Sequence, residues 1–369
     1  MRSTAGNGSH PRQRQRVFAF LNAQWRGGST LGEQLIFSTT VASPFLLDEP
    51  AKAMWQDENH HSVAIANFNA LRCDFHQFNH SLLLSWQHWR GEFTRQRRLL
   101  NYKSFPELQN RCRNAGNGGH LRAIKTIRMS GELGQLAREC SRLRDDGANF
   151  SCVLLQMVRH PLSTLRSEIA SSKLPQARGV KYAHVVPSGS GGWAQNRASN
   201  MTEFCAPILR DVETSLALQR RAARRARRVA ALERLRETEV SGVAAPKKRR
   251  SLDDARRELS LVPKVMLLRY DELLRRPEAI AREAHGLMRA FTSEAKLSTF
   301  VKGHLAPNYT SSGGTPPPTL NSSTQKLRKR LKFEFGTGSR PRACNTLQPM
   351  LEWPVCAELV RLMSPLYVC

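Results

Sequence analysis

Apolar residues in this chain fall into short unbroken runs separated by longer stretches of helical periodicity. Five runs read as strands, at about 16–23, 44–48, 121–128, 151–158 and 264–270. Continuous rather than alternating apolar character is what a strand covered on both faces requires. Between them, segments 31–39, 131–144, 203–219 and 277–291 repeat apolar residues at three- and four-residue spacing and predict helices. Strands alternating with helices predict an α/β fold, a parallel central sheet with helices on both faces. Ligands of such sheets sit beyond the carboxyl ends of the strands.

Three segments break this rhythm. Residues 1–15 are polar and basic and read as a disordered lead-in. Residues 306–326, with Ser311-Ser-Gly-Gly-Thr-Pro-Pro-Pro318, read as a flexible loop. Residues 220–257 carry 14 basic and 5 acidic side chains, beginning with Arg220-Arg-Ala-Ala-Arg-Arg-Ala-Arg-Arg228 and including Pro246-Lys-Lys-Arg-Arg250. This stretch continues a helix at its start and is expected to be a solvated, mobile basic insertion. The rest, residues 16–369, is expected to form one domain, since 369 residues can bury a full core.

The insertion holds a third of the excess charge of the chain. Lys plus Arg number 57 against 30 Asp plus Glu, a net +27, which implies polyanionic company. Eight cysteines include no CxxC pair, so zinc is not expected. They read either as free thiols or as partners in disulfides. Asn7, Asn79, Asn149, Asn200, Asn308 and Asn321 begin Asn-x-Ser/Thr sequons, against roughly two expected by chance; the excess favours a secretory lumen, where cysteines pair. The longest apolar run near the start, Val17 to Ala23, is too short to cross a bilayer, so no membrane span is expected.

Two loops carry the candidate chemistry. The first follows the 16–23 run as Gln24-Trp-Arg-Gly-Gly-Ser-Thr30 and opens a helix. The second follows the 151–158 run as Arg159-His-Pro-Leu-Ser-Thr-Leu-Arg-Ser167. A strand feeding a small-residue turn and then a helix start presents unpaired N–H groups and a positive dipole end to an anion. Two such turns suit a ligand with two separated anionic groups.

The pair resembles the signature loops of the sulfotransferase superfamily, and within it the Golgi galactose, N-acetylgalactosamine and N-acetylglucosamine 6-O-sulfotransferases. Arg26, Gly28, Ser29 and Thr30 match the first family pattern; Arg159, Pro161 and Ser167 match the second. Gly27 stands where the family usually has Ser or Thr, His160 where it has Asp, and Leu162 where it has Arg. Further elements fall in family order: Phe45 to Pro50, Leu71-Arg-Cys-Asp-Phe75, Cys112, Lys125-Thr-Ile-Arg128, Arg269-Tyr-Asp-Glu-Leu273 with Pro277, and Val355 to Met363.

The resemblance implies a P-loop-like sulfotransferase fold and a donor, 3′-phosphoadenosine 5′-phosphosulfate (PAPS), with no metal. It implies that Arg26, Gly27, Gly28, Ser29 and Thr30 hold the 5′-phosphosulfate and that Arg159 and Ser167 clamp the 3′-phosphate. Arg269 and Tyr270 join this cofactor-binding set. Sulfuryl transfer, like phosphoryl transfer, works by positioning and charge stabilisation, a task for Arg26 and Lys125, with Arg128 near by. Glu49, expected where a strand ends before Pro50, is the candidate base for the acceptor hydroxyl; alternatively it pairs with Arg26 or Lys125 and holds the loop. The implied acceptor is a glycan, neutral or acidic, sulfated at a hydroxyl such as the 6-O, in the Golgi lumen. No specific nucleic acid is expected.

Competing readings stay open. A nucleotide kinase would need Gly-x-x-x-x-Gly-Lys-Ser/Thr, which Trp25 to Glu33 does not supply. A non-catalytic polyanion- or nucleic-acid-binding protein accounts for the charge but not for the two loops. A nuclear-localisation role for Lys247 to Arg250 is another. An inactive sulfotransferase-like protein accounts for the departures at Gly27, His160 and Leu162.

Overall fold

The first strand, β1 (Arg16–Ala23), is buried along all but its first residue. In the computed structural model, which describes residues 16–24, 27–42, 44–48, 60–75, 105–113, 120–127, 129–145, 150–161, 164, 201–238, 246–304 and 353–363, it forms the centre of a sheet. Its neighbours are β3 (Leu121–Thr126) and β4 (Phe150–Val158), flanked by β2 (Phe45–Asp48) and β5 (Lys264–Arg269). The order is β2-β3-β1-β4-β5 and every pairing is parallel. The fold is therefore α/β, a five-stranded parallel sheet flanked by helices. Each strand lies within two residues of its expected bounds, because unbroken apolar runs can be buried in few other ways.

The chain moves from β1 outward past β3 to β2, returns, and then crosses to β4 on the other side of β1. That reversal makes the carboxyl end of β1 the topological switch point, where such sheets open a crevice. One face of the sheet packs beneath α1 (Ser29–Phe37), α7 (Tyr270–Arg275), α8 (Pro277–Leu287) and α9 (Glu294–His304). The other packs beneath α2 (His60–Leu71), α4 (Leu133–Asp145), α5 (Met201–Thr238) and α10 (Pro354–Met363), with α3 (Phe105–Arg113) beside α2. On that second face, Phe18 stacks on Phe150 with ring centroids 4.4 Å apart, and Phe20 meets Phe68 at 4.5 Å. Each such ring contributes about 1.5–3 kcal/mol by leaving water.

Several polar groups buried in the sheet meet partners on neighbouring elements. Asn22 of β1 and Gln156 of β4 are register partners, and the Asn22 amide donates to Gln156 Oε1 at 2.8 Å and to Met129 O at 3.1 Å. The same amide reaches Asp211 Oδ2 at 3.4 Å. Asp211, from α5, accepts the N–H groups of Gly131 at 2.8 Å and Leu133 at 3.0 Å, and so caps α4. Gly131 has φ +83°, and a Cβ there would lie 3.1 Å from Pro207, so only glycine lets α5 approach. Arg122 is buried in β3 and donates to Leu71 O at 2.7 Å; burial, then the charge of Arg16, lowers its pKa to about 10. His285 Nε2 donates to Ile36 O at 2.6 Å while Nδ1 lies 2.8 Å from Thr292 Oγ1, tying α8 to α1. Burial lowers the pKa of this imidazole.

Six of the eight cysteines pair as Cys73–Cys112, Cys140–Cys152 and Cys205–Cys356, which settles those six against free thiols. Cys344 and Cys369 lie outside the described residues. Among the described residues no helix is long and apolar enough to cross a membrane, and no group of His, Cys, Asp or Glu is placed to hold a metal ion.

The basic stretch continues a helix at its start, as expected. It is a helical hairpin: α5 runs unbroken to Thr238, and α6 (Pro246–Leu261) returns along it to β5. Val229 of α5 is buried against Leu252 and Ala255 of α6, with Leu232 and Leu259 packed around them. Arg256 pairs with Glu233 at 2.7 Å, and Arg228 with Glu258 at 3.5 Å. The apolar positions are sparse, which hid this seam beneath the charge. Helices α2, α3 and α9 were also not expected from periodicity. The lead-in, the 306–326 loop and all six sequon asparagines lie outside the described residues.

Candidate anion-binding site

Both loops of interest leave the carboxyl edge on adjacent strands, β1 and β4. After β1 the chain turns tightly, the Gly27 N–H donating to Gln24 O at 2.8 Å. A Cβ at Gly27 would stand 2.9 Å from that same oxygen. The turn therefore excludes the Ser or Thr that the family pattern places there, and glycine is the residue this backbone needs. Gly28 follows with φ +93° and is the N-cap of α1, with no side chain capping the helix. A helix start left open in this way directs its first-turn N–H groups and dipole outward. Ser29 is buried and Thr30 exposed at that start.

Arg159 is the first residue after β4 and is only 5% exposed. Its guanidinium carbon lies 4.7 Å from the ring centroid of Tyr270, a cation–π contact. Tyr270 opens α7 directly after β5 and is 2% exposed. The same ring lies against Gly28: a Cβ there would fall 2.2 Å from Cδ2 and 2.5 Å from Cε2. One tyrosine thus joins the first loop to the second. Met157 completes the packing, its methyl 3.3 Å from the position of a Gly28 Cβ and its sulfur 3.0 Å from that of a Gly32 Cβ.

On the opposite flank of β1, Lys125 stands one residue before the end of β3, on the face covered by α1. Its ammonium lies 4.0 Å from Glu33 Oε2, and each side chain is 4% exposed. Burial of two opposite charges holds when they are mutually compensated. Glu33 is a site residue that the motifs did not single out. The available signal was a carboxylate on the inward face of α1, next to Leu35 and Ile36, facing a strand lysine.

The structure therefore brings together Gly27, Gly28, Ser29, Thr30, Lys125, Arg159, Arg269 and Tyr270 along one edge of the sheet. Tyr270 is buried between Gly28 and Arg159. Arg269 is 16% exposed and lies 3.9 Å from Glu272 Oε1. His160 is buried, and its carbonyl accepts the Thr164 N–H at 2.9 Å and hydroxyl at 3.1 Å, holding the second loop as a turn. Arg26, Glu49, Arg128, Leu162 and Ser167 lie outside the described residues. A row of cations and an uncapped helix start, set at the switch point of a parallel sheet, can bind an anion bearing more than one charge.

No family model matches this chain, and no curated protein matches it. Among solved structures, it is similar to the sulfotransferase domain from the Synechococcus PCC 7002 olefin synthase, at 12% identity. That similarity covers 88% of this chain and 97% of the other, with a TM-score of 0.34.

Proposed function

We propose that this chain is a PAPS-dependent sulfotransferase acting on a hydroxyl of a glycan. The observation that carries the reading is the Tyr270 ring wedged between Gly28 and Arg159. Loops that match two phosphate-binding signatures are thereby held as one unit, as a donor with a phosphate at each end demands. Gly27 to Thr30 and Arg26 receive the 5′-phosphosulfate, and Arg159 with Ser167 receives the 3′-phosphate by charge-assisted hydrogen bonds. Lys125, held in place by Glu33, stands beside the first loop, where its N–H groups meet the transferring sulfuryl group.

In the transfer, the acceptor oxygen bonds to sulfur as the sulfur–oxygen bond to the 5′-phosphate breaks. The hydroxyl proton passes to Glu49, the proposed base, and adenosine 3′,5′-bisphosphate leaves with the bonding electron pair. Arg26 offsets the charge that develops on its leaving oxygen. The excess of basic residues suits an acidic glycan, and 6-O transfer in the Golgi lumen follows from the motif resemblance.

The test is calorimetric binding of adenosine 3′,5′-bisphosphate, followed by transfer from labelled PAPS to a glycan panel. Wild type binds the nucleotide; Arg159→Ala weakens it by about tenfold or more, since hydrogen bonds to charged groups contribute about 1.5–3 kcal/mol. Ser167→Ala weakens it less. Equal affinity in wild type and both variants rules out this 3′-phosphate site.

A further inference from the structure

Beyond the proposed transfer, the structure assigns a second binding surface, the arginine stripe on the basic hairpin, and its ligand is an extended acidic polysaccharide. The orientation of α5 places it. Near its start, Phe204 O accepts from Gln24 Nε2, at the carboxyl end of β1. Later, Gln219 Nε2 donates to Val265 O at 3.3 Å, at the amino end of β5. The helix thus runs antiparallel to the strands and reaches the amino edge of the sheet at Gln219. Everything beyond it projects from the edge opposite the nucleotide loops, about 20 Å away by the length of the strands.

Between Arg220 and Arg228 there are six arginines and no carboxylate. Two acidic groups of the α5–α6 seam are used on its inner side, where Glu258 meets Arg225 and Arg228 and Glu233 meets Arg256. Arg220, Arg224, Arg227 and Arg234 are exposed and share roughly a quarter of the helix circumference along about 21 Å of axis. Buried Val229 points the other way, into α6. Like charges three and four residues apart repel and weaken a helix, so folding does not call for this row. A partner with regularly spaced anions relieves the repulsion, and guanidinium forks match carboxylate and sulfate groups.

The composition of the stripe selects among polyanions. Alanines 223, 230 and 231 lie beside the arginines and no aromatic residue does, so there is no platform for stacking bases. One apolar side chain, Leu235, is exposed among them, short of the apolar face that an interfacial helix sinks into lipid. Three disulfides elsewhere in the fold belong to an oxidising environment, where polyanions are glycans rather than nucleic acids. The length of the stripe, about 21 Å of helix axis, calls for a chain and not a small ion.

The experiment measures affinity of the full chain for heparin and chondroitin sulfate, for duplex DNA, and for phosphatidylserine vesicles, across a salt series. The variant is R220Q/R224Q/R227Q/R234Q, glutamine keeping helix propensity, and melting and circular dichroism verify that it folds. A control of equal charge loss, R72Q/R113Q/R276Q/K302Q, changes exposed cations outside the hairpin. Expected are preference for the polysaccharides, a loss of at least tenfold in the hairpin variant, and a salt dependence shallower by about three to four counterions. The control loses far less, adenosine 3′,5′-bisphosphate affinity is the same in all three proteins, and saturating heparin raises the melting temperature of wild type more than that of the variant. Equal losses in variant and control would reduce the surface to net charge, and tighter binding to DNA or vesicles would assign it another partner; either overturns the proposal.

Discussion

The two edges of the sheet handle positive charge in opposite ways. At the carboxyl edge, Arg159 is buried over Tyr270 and Lys125 is buried beside Glu33. At the amino edge, the outer arginines of α5 stand in solvent along an open helix face. A buried cation has surrendered hydration in advance and holds a fixed position, which suits one small anion in one pose. An exposed row keeps its hydration and counterions, gives up little to bind, and suits a polymer that can slide. Net charge alone, +27 over the chain, does not distinguish these uses; burial does.

The sharpest way to break the comparison is to disturb the packing on which only the carboxyl edge depends. Gly28→Val places side-chain carbon where the Tyr270 ring lies and forces a β-branched residue to φ +93°. Overpacking and left-handed strain together cost about 4 kcal/mol, seen as a lower denaturation midpoint, with nucleotide affinity lost while heparin binding persists. The double variant Gly28→Ala/Tyr270→Ala loses less stability than the two single variants summed, but nucleotide affinity is not recovered, because the tyrosine no longer joins the loops.

Next in size is Glu33→Ala. It leaves Lys125 buried without this carboxylate and costs about 3 kcal/mol; the accompanying Lys125→Met restores most of it, as chemical denaturation will show. Salt dependence sharpens the contrast further. Raising ionic strength weakens polysaccharide binding steeply and nucleotide binding mildly, because buried charges are screened less, and parallel slopes for the two ligands would erase the distinction.

A pH-dependent effect concerns the support beneath the carboxyl edge. Burial raises the Asp211 pKa from 3.8 to about 7. Between those values the folded chain binds more proton at this group than the unfolded chain does. Its contribution is complete below pH 3.8, falls as pH rises, and is gone above about 7. The stability difference between wild type and Asp211→Ala, taken from melting curves, is therefore largest near pH 4 and shrinks toward pH 8. An unchanging difference would mean that the carboxylate titrates alike in both states.

Much of this fold was legible in the sequence because its strands are buried on both faces and leave unbroken apolar runs. The helices were less so. Val63, Ala64, Ala66, Phe68, Ala70 and Leu71 of α2 are all buried, which blurs the amphipathic period. The hairpin seam rests on Val229, Leu232, Leu252, Ala255 and Leu259, too few apolar positions to outweigh the surrounding arginines. At the site, the loop residues could be read as motifs, whereas Glu33 and the wedge role of Tyr270 could not. Both depend on which side chains meet across elements, and register between α1, β3 and β5 is not written locally. Asn22 and Gln156 left a fainter trace, as polar residues inside otherwise apolar strands.

The Cys205–Cys356 bond joins α5 to α10 across 151 residues. Restricting a loop of that size in the unfolded chain contributes about 5 kcal/mol in the chain-entropy model. Its timing matters as much as its energy. Cys356 follows Cys205 by 151 residues, so a ribosome must add that whole stretch before this clasp can close. The helix that carries the arginine stripe must therefore wait, partly unsecured, for α10 to arrive.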